Sequence, residues 1–318
     1  MERALSTGRL AHAYLFHGPV GVGKKQAARL IAQALLCRDS EGGEGCGRCP
    51  ACRKLASGNH PDFLAIASQG IAIKIDQIRA MKEALSFPPL ESEIRVVVIH
   101  DVHTMRREAA NSLLKILEEP PAGNVLLLTA ADSEPLLPTI VSRCQSVPFY
   151  PLPLHLAAEV IVGEAPDIGP EQAAALAALL EGSPGRALDF HRKGLLEKRH
   201  HFIKRLVESD ADHPRGVETI LKLAADAAAL KEDLVALFDL VRLFFKDVLV
   251  ARLCPGRDLL VNRDMTHEVE TARQRWNLQE LFAKLQAIDQ AERELARNCN
   301  RMLVCEVLFF RISSPAES

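Results

Sequence analysis

Short apolar runs alternate with helix-forming stretches over the first 150 positions of the chain. Crossovers of that length predict a parallel sheet covered by helices on both faces. Strands are expected at 13–17, 62–67, 95–99, 124–129 and 146–149, with helices between them at about 24–37, 76–86, 105–118 and 134–141. Asp76 stands where it would cap its helix. Ligands in such sheets sit beyond the carboxyl ends of the strands, which points to the turn after the first strand.

After Tyr150-Pro-Leu-Pro153 the pattern changes and no strand is expected. Three short helices are predicted at 154–162, 170–181 and 184–191, the first two ended by Gly163 and Gly182. Longer helices follow from about Gly194. Leu234, Leu237, Phe238, Val241, Phe245, Val248 and Leu249 recur at three- and four-residue steps and mark one buried helical face. A break at Cys254-Pro255-Gly256 precedes helices at about 277–297 and 301–312. Three parts are therefore expected: an α/β domain over 1–150, a small helical domain over 151–193 and a larger all-α domain over 194–318. No internal repeat or low-complexity segment interrupts them.

Composition narrows the function. A net charge of -2 argues against a free-standing nucleic-acid binder, which would carry a basic excess. No apolar leader follows Met1-Glu2-Arg3, and nowhere do about 18 apolar residues run unbroken. A soluble, cytoplasmic chain without membrane contact is expected.

The turn after the first strand reads Gly18-Pro-Val-Gly-Val-Gly-Lys-Lys25. It fits the phosphate-binding pattern G-x-x-x-x-G-K except at its last position. Gly18, Gly21, Gly23 and Lys24 are the candidate nucleotide-binding residues, because a glycine turn feeding a helix aims backbone N–H groups and the positive helix end at phosphate oxygens. The hydroxyl that should follow the lysine holds Mg²⁺, and Lys25 offers a cation there instead. The third strand raises the same doubt. Val96-Val-Val-Ile-His100-Asp101-Val102 should end in an Asp for the metal and a Glu for the attacking water. Placing His100 or Asp101 in the first role leaves one of the two unfilled. His100 and His103 read equally well as solvated loop histidines.

Eight cysteines raise the question of disulfides, but Cys37, Cys46, Cys49 and Cys52 fall within sixteen residues, padded by Gly42, Gly43, Gly45 and Gly47. The spacing C-x8-C-x2-C-x2-C brings four thiolates to tetrahedral Zn²⁺ without strain. With all four positions filled by protein, no place is left for a catalytic water, so the zinc would be structural. Surplus buried thiols are the alternative. Of the remainder, Cys254, Cys299 and Cys305 are expected as free buried thiols, with Cys144 apart from them. The stretch from His191 to Arg205 carries Arg192, Lys193, Lys198, Arg199, Lys204 and Arg205 against Glu197, and reads as a solvated helix face. Trp276 has no aromatic neighbours in sequence with which to stack bases and is expected in the core.

Two further motifs carry a resemblance. Leu113-Leu-Lys-Ile-Leu-Glu-Glu-Pro-Pro121, and Ser142-Arg143-Cys144 about twenty residues later, resemble the sliding-clamp loaders of the AAA+ class. His60-Pro-Asp62, Gly182-Ser-Pro-Gly-Arg-Ala-Leu188 and Asn298-Cys-Asn-Arg-Met-Leu303 sit where that family places similar segments. The resemblance implies a P-loop AAA+ domain followed by a small helical lid and an all-α C-terminal collar, within a ring of subunits. It implies as partners the ATPase subunits (gamma/tau) and the delta subunit, and through the complex the sliding clamp and primed DNA. It assigns Arg143 the role of reaching into a neighbour's nucleotide site, where a guanidinium stabilises charge on the γ-phosphate; pairing with a local carboxylate is the plainer reading. Family members with imperfect P-loops act as a fixed wall for the ATPase subunits, so ATP binding here is expected to be weak or absent and hydrolysis at background. Thr129-Ala-Ala-Asp132 further suggests that the residue sensing γ-phosphate is displaced or missing. An active ATPase of gamma/tau type is the alternative, for which the Thr and the Asp-Glu pair would be expected.

Overall fold

A computed structural model describes residues 10–39, 44–70, 72–131, 136, 138–209, 213–254 and 260–314. They fall into two compact units, Met1–Leu152 and Pro153–Ser318.

The first unit is built on five parallel strands, β1 (Ala13–His17), β2 (Phe63–Ile66), β3 (Arg95–Ile99), β4 (Asn124–Ala130) and β5 (Gln145–Pro148), in the order β2-β3-β4-β1-β5. Every residue of β3 and β4 is buried, including the polar Arg95, Asn124 and Thr129, as strands covered on both faces must be. Alternate side chains divide between the faces. Tyr14, Phe16, Val96, Val98, Val125 and Leu127 meet Ala28, Ala32 and Leu36 of α1 (Lys24–Leu36). Leu15, Val97, Ile99, Leu126 and Leu128 meet α3 (Ile75–Leu85) and α4 (Arg107–Glu118), the latter through Ala109, Ala110, Leu113, Ile116 and Leu117. Helix α2 (Pro50–Ala56) follows the cysteine-rich segment, and α5 (Pro138–Val141) precedes β5.

Asp62 explains the His60-Pro-Asp62 motif. Its fully buried carboxylate accepts the N–H groups of Leu90, Glu91 and Ser92 at 2.6, 2.7 and 2.9 Å and lies 3.7 Å from the buried Arg95 guanidinium. Burial works against its charge, but those N–H groups and Arg95 prevail and hold its pKa below the usual carboxylate value.

The second unit is helical: α6 (Leu154–Glu164), α7 (Pro170–Leu179), α8 (Pro184–Arg192), α9 (Leu195–Glu208), α10 (Pro214–Ala228), α11 (Leu234–Leu253), α12 (Thr266–Arg275), α13 (Leu278–Ala296) and α14 (Arg301–Ser313). Its core gathers Phe202, Leu237, Phe238, Phe244, Phe245, Trp276, Ile288 and Phe309. Among the described residues, no helix is long and apolar enough to cross a membrane.

Several expectations are corrected. Lys74, not Asp76, stands at the N-cap of α3, its amide donating to Gln77 Oε1 at 3.0 Å; Asp76 lies in the first turn and pairs with Arg79. The helix expected from 105, α4, begins at Arg107 after a short turn over Val102–Thr104. Gly163 lies inside α6, which runs on to Glu164, and does not adopt the positive φ of a terminating glycine. Gly182, with φ of 73°, does close the turn after α7 by donating to Ala177 O at 2.8 Å. Cys254 and Cys299 are exposed, and Cys305 is buried. Arg199 turns inward: its Nη1 donates to Asn262 Oδ1 at 2.9 Å, and Asn262 in turn donates to the buried Asp247. The Arg199 Nη2 pairs with the partly exposed Asp264, so the inward guanidinium is held between an amide and a carboxylate while its buried Nε has no hydrogen-bond partner. Trp276 is in the core as expected. The expected helix start at 134, Asp132, the glycines at 42 and 43, and the Pro255-Gly256 break lie outside the described residues.

Candidate functional site

The loop after β1 has the backbone a phosphate cradle needs. Gly18, Gly21 and Gly23 have φ of 142°, 83° and 95°. A Cβ on Gly18 would run into the Phe149 carbonyl at the end of β5, so space as well as conformation demands glycine there. At Gly23, the N-cap of α1, φ alone demands it. Lys24 is buried, and its ammonium donates to Gly18 O and Pro19 O at 2.5 Å each. The chain thus brings together all four expected nucleotide-loop residues.

What surrounds the loop departs from an ATPase. Lys25 Nζ lies 2.5 Å from Asp101 Oδ2, joining the position after the loop lysine to the one beyond the third strand. Asp101 sits just beyond β3 with φ of 53°. Its amide donates to Thr129 Oγ1 at 3.0 Å, so the polar group near the end of β4 is committed to the backbone. Neither histidine is a plain solvated loop residue. His100 Nδ1 is buried without a hydrogen-bond partner, and burial, with Lys25 adding to it, keeps the ring below its ordinary pKa. His103 Nδ1 accepts the amide of Ala131 at 3.4 Å. A cavity of about 510 Å³ opens beside α1, lined by Lys25, Gln26, Arg29, Ser57, Phe63 and His100 among others, with no carboxylate among the described residues of its wall.

The cysteine quartet closes as a group. Cys37 ends α1 and Cys49 caps α2, where its Sγ accepts the Cys52 amide at 3.4 Å. The Cys46 amide donates to Cys37 Sγ and the Cys49 amide to Cys46 Sγ, both at 3.3 Å. All four Sγ atoms lie within 4.8 Å of one another, with Cys37 and Cys49 at 3.9 Å. Zn–S bonds of about 2.3 Å place tetrahedral sulfurs about 3.8 Å apart, so the four residues fit a metal ion of that size. Burial pushes the Cys52 thiol up to about 12, whereas at Cys49 burial is outweighed by backbone and side-chain hydrogen bonds that bring it down to about 6.

Arg143 meets the other family motif. Its Nη2 lies 2.7 Å from Glu118 Oε1, and its Nη1 donates to Thr139 O at 3.1 Å. The pair is partly exposed, at 34% and 48% for the two side chains. Glu118 was not singled out as a functional residue in the sequence, although its motif was, because spacing does not say which of two adjacent glutamates turns toward the arginine.

Comparison with known proteins decides the family. A family model described as DNA polymerase III, delta subunit, matches residues 1–153, and one described as its C-terminal part matches 193–314. The DNA polymerase III subunit delta' of Pseudomonas aeruginosa is 32% identical over 96% of this chain and 92% of its own. The chain belongs to the DNA polymerase III delta-prime subunit family. The delta' subunit of Bacillus subtilis is 39% identical over 56% of the chain, which spans about half (53%) of that relative. The tau subunit of Escherichia coli is 38% identical over 45% of the chain and 22% of its own length. A DNA polymerase III gamma subunit-related protein from Thermotoga maritima aligns over 98% of this chain and 97% of its own with a TM-score of 0.51 at 21% identity, a likeness of fold. The loop, the cysteine quartet and Arg143 with Glu118 all fall within residues 1–153, the segment that the first family model covers.

Proposed function

We propose that this chain serves as a delta-prime subunit of a DNA polymerase III clamp loader, helping to place the sliding clamp on primed DNA without hydrolysing ATP itself. The observation that carries the reading is the ion pair between Lys25 and Asp101. Hydrolysis by a P-loop needs a hydroxyl and a carboxylate holding Mg²⁺, and a residue to activate water. Here the first two positions hold a cation and an anion in contact, and Val102 follows Asp101 where a glutamate would stand. The subunit is then a fixed wall, or stator, for its ATPase neighbours of gamma/tau type, with the delta subunit completing the ring.

Its chemical contribution is Arg143, offered in trans. A guanidinium presented to a neighbour's γ-phosphate stabilises charge that grows in the transition state. In the free chain Glu118 holds that guanidinium, and a partly exposed pair of this kind contributes only about 0.2–1 kcal/mol. Exchanging Glu118 for a phosphate therefore costs little. The cysteine quartet would hold a structural Zn²⁺ that fixes the end of α1 to α2. Residues 151–193 and 194–318 supply the lid and the collar of a cytoplasmic complex. A loader rebuilt with Arg143→Ala tests the reading: it should assemble normally and lose most of its clamp- and DNA-stimulated ATPase.

A further inference from the structure

In P-loop enzymes the hydroxyl after the loop lysine and the carboxylate near the end of the adjoining strand hold Mg²⁺ between them. In this chain those places belong to Lys25 and Asp101, whose charged atoms lie 2.5 Å apart. The residues do not fit the metal. An ammonium has three donors and no lone pair to give a cation, and it already neutralises the carboxylate that would attract one. His100 is no substitute, because Mg²⁺ takes oxygen ligands.

The anion-binding half of the site, by contrast, is intact. The loop glycines hold their left-handed turns, and Lys24 lies at the mouth of α1, where the helix end adds positive potential. Lys25 and Arg29 face the adjacent cavity of about 510 Å³, whose described lining residues include no carboxylate. The Lys25 side chain is 59% exposed, and its three donors let it touch Asp101 and a phosphate oxygen together. That bridge is the one Mg²⁺ and its waters make in an active enzyme.

We propose that Lys25 replaces Mg²⁺ as a built-in counter-ion, so that the loop binds a nucleoside triphosphate as the metal-free anion, with an affinity indifferent to Mg²⁺. This rests on the reading of the site as catalytically silent and adds a ligand and a role for one residue. It gives the silent loop a ligand that can rigidify it without being consumed.

The test is calorimetric titration of the full chain with ATP, once in excess MgCl₂ and once in EDTA. The two dissociation constants should agree within about twofold, and Lys25→Ala should weaken both by roughly tenfold, as expected for losing a charged hydrogen bond. Lys25→Thr, which restores the hydroxyl and releases Asp101, should bind poorly in EDTA and recover by about tenfold or more with Mg²⁺. Both substitutions are at an exposed side chain and leave the core untouched. Parent binding that tightens about tenfold with Mg²⁺ would overturn the inference. So would the absence of ATP binding in either buffer, or a Lys25→Thr variant indifferent to the metal. Those failures leave the silent-subunit reading standing. That reading falls instead if the chain turns over Mg²⁺-ATP, which the same samples report as released phosphate.

Discussion

Replacing Lys284 with methionine should make the second unit respond differently to pH, and the size of the change follows from where the ammonium sits. Lys284, on α13, is 2% exposed. Its Nζ donates to Ser314 O at 2.7 Å, just past the end of α14, and lies 4.9 Å from the centre of the Trp276 ring. Burial lowers its pKa from the ordinary 10.5 to about 8; Glu280 opposes the fall and Arg275 adds to it. At about 1.4 kcal/mol per pH unit, that distance amounts to roughly 3 kcal/mol against the charged form in the folded state. Between those two values the unfolded chain binds more protons than the folded one, so stability rises with pH across that window. The penalty is complete below pH 8 or so and gone above the ordinary lysine value. Lys284→Met removes the titrating group at similar volume. Every other group cancels when the two proteins are compared, so the advantage of methionine should shrink by about 2–3 kcal/mol from about pH 7 to pH 10. Urea unfolding, followed through Trp276 fluorescence and circular dichroism, measures it. A difference between the proteins that stays constant within about 0.5 kcal/mol would refute the reasoning, because it would mean that water reaches the ammonium.

Two further outcomes are expected. The purified chain should carry stoichiometric zinc by elemental analysis, lost in Cys46→Ser with Cys49→Ser but kept in Cys144→Ser, and its removal by chelator should lower the melting temperature of the first unit. Zinc retained without the two thiols would exclude the quartet. The isolated chain should hydrolyse ATP at background, and a turnover above about 0.1 per second that disappears in Lys24→Ala would contradict a silent site, since even modest enzymes reach about 1 per second.

Local physics made much of the first unit readable in sequence. β1 and β3 lie where the apolar runs placed them, because their apolar residues, running up to His17 in one and on from Arg95 in the other, are all buried. β5, with one half-buried residue and three exposed ones, lies one residue earlier than expected. Helix α2 was missed because cysteine and glycine spacing in that stretch announces a metal loop, although Cys49 as cap and Pro50 at the first turn are helix-start signals too. Arg199 and Asp247 seemed solvated or went unremarked because charge predicts exposure, and the asparagine that joins them lies 63 residues from one and 15 from the other. The same limit applies to the site. The glycines, Lys24 and the cysteines were legible because their chemistry is written in spacing, whereas the contacts of Lys25 with Asp101, 76 residues away, and of Arg143 with Glu118 depend on strands and helices meeting in space.

Those two contacts lead to one experiment on the assembled loader. ATPase should be measured with clamp and primed DNA on loaders carrying either Lys24→Ala or Arg143→Ala in this subunit. The loop lysine of a silent site contributes nothing to turnover, so Lys24→Ala should leave the rate unchanged. Arg143→Ala should lower it several-fold or more, given arginine-finger factors of about 10³–10⁵ at the site it serves. An unchanged rate with Arg143→Ala, or a collapse with Lys24→Ala, would contradict the account.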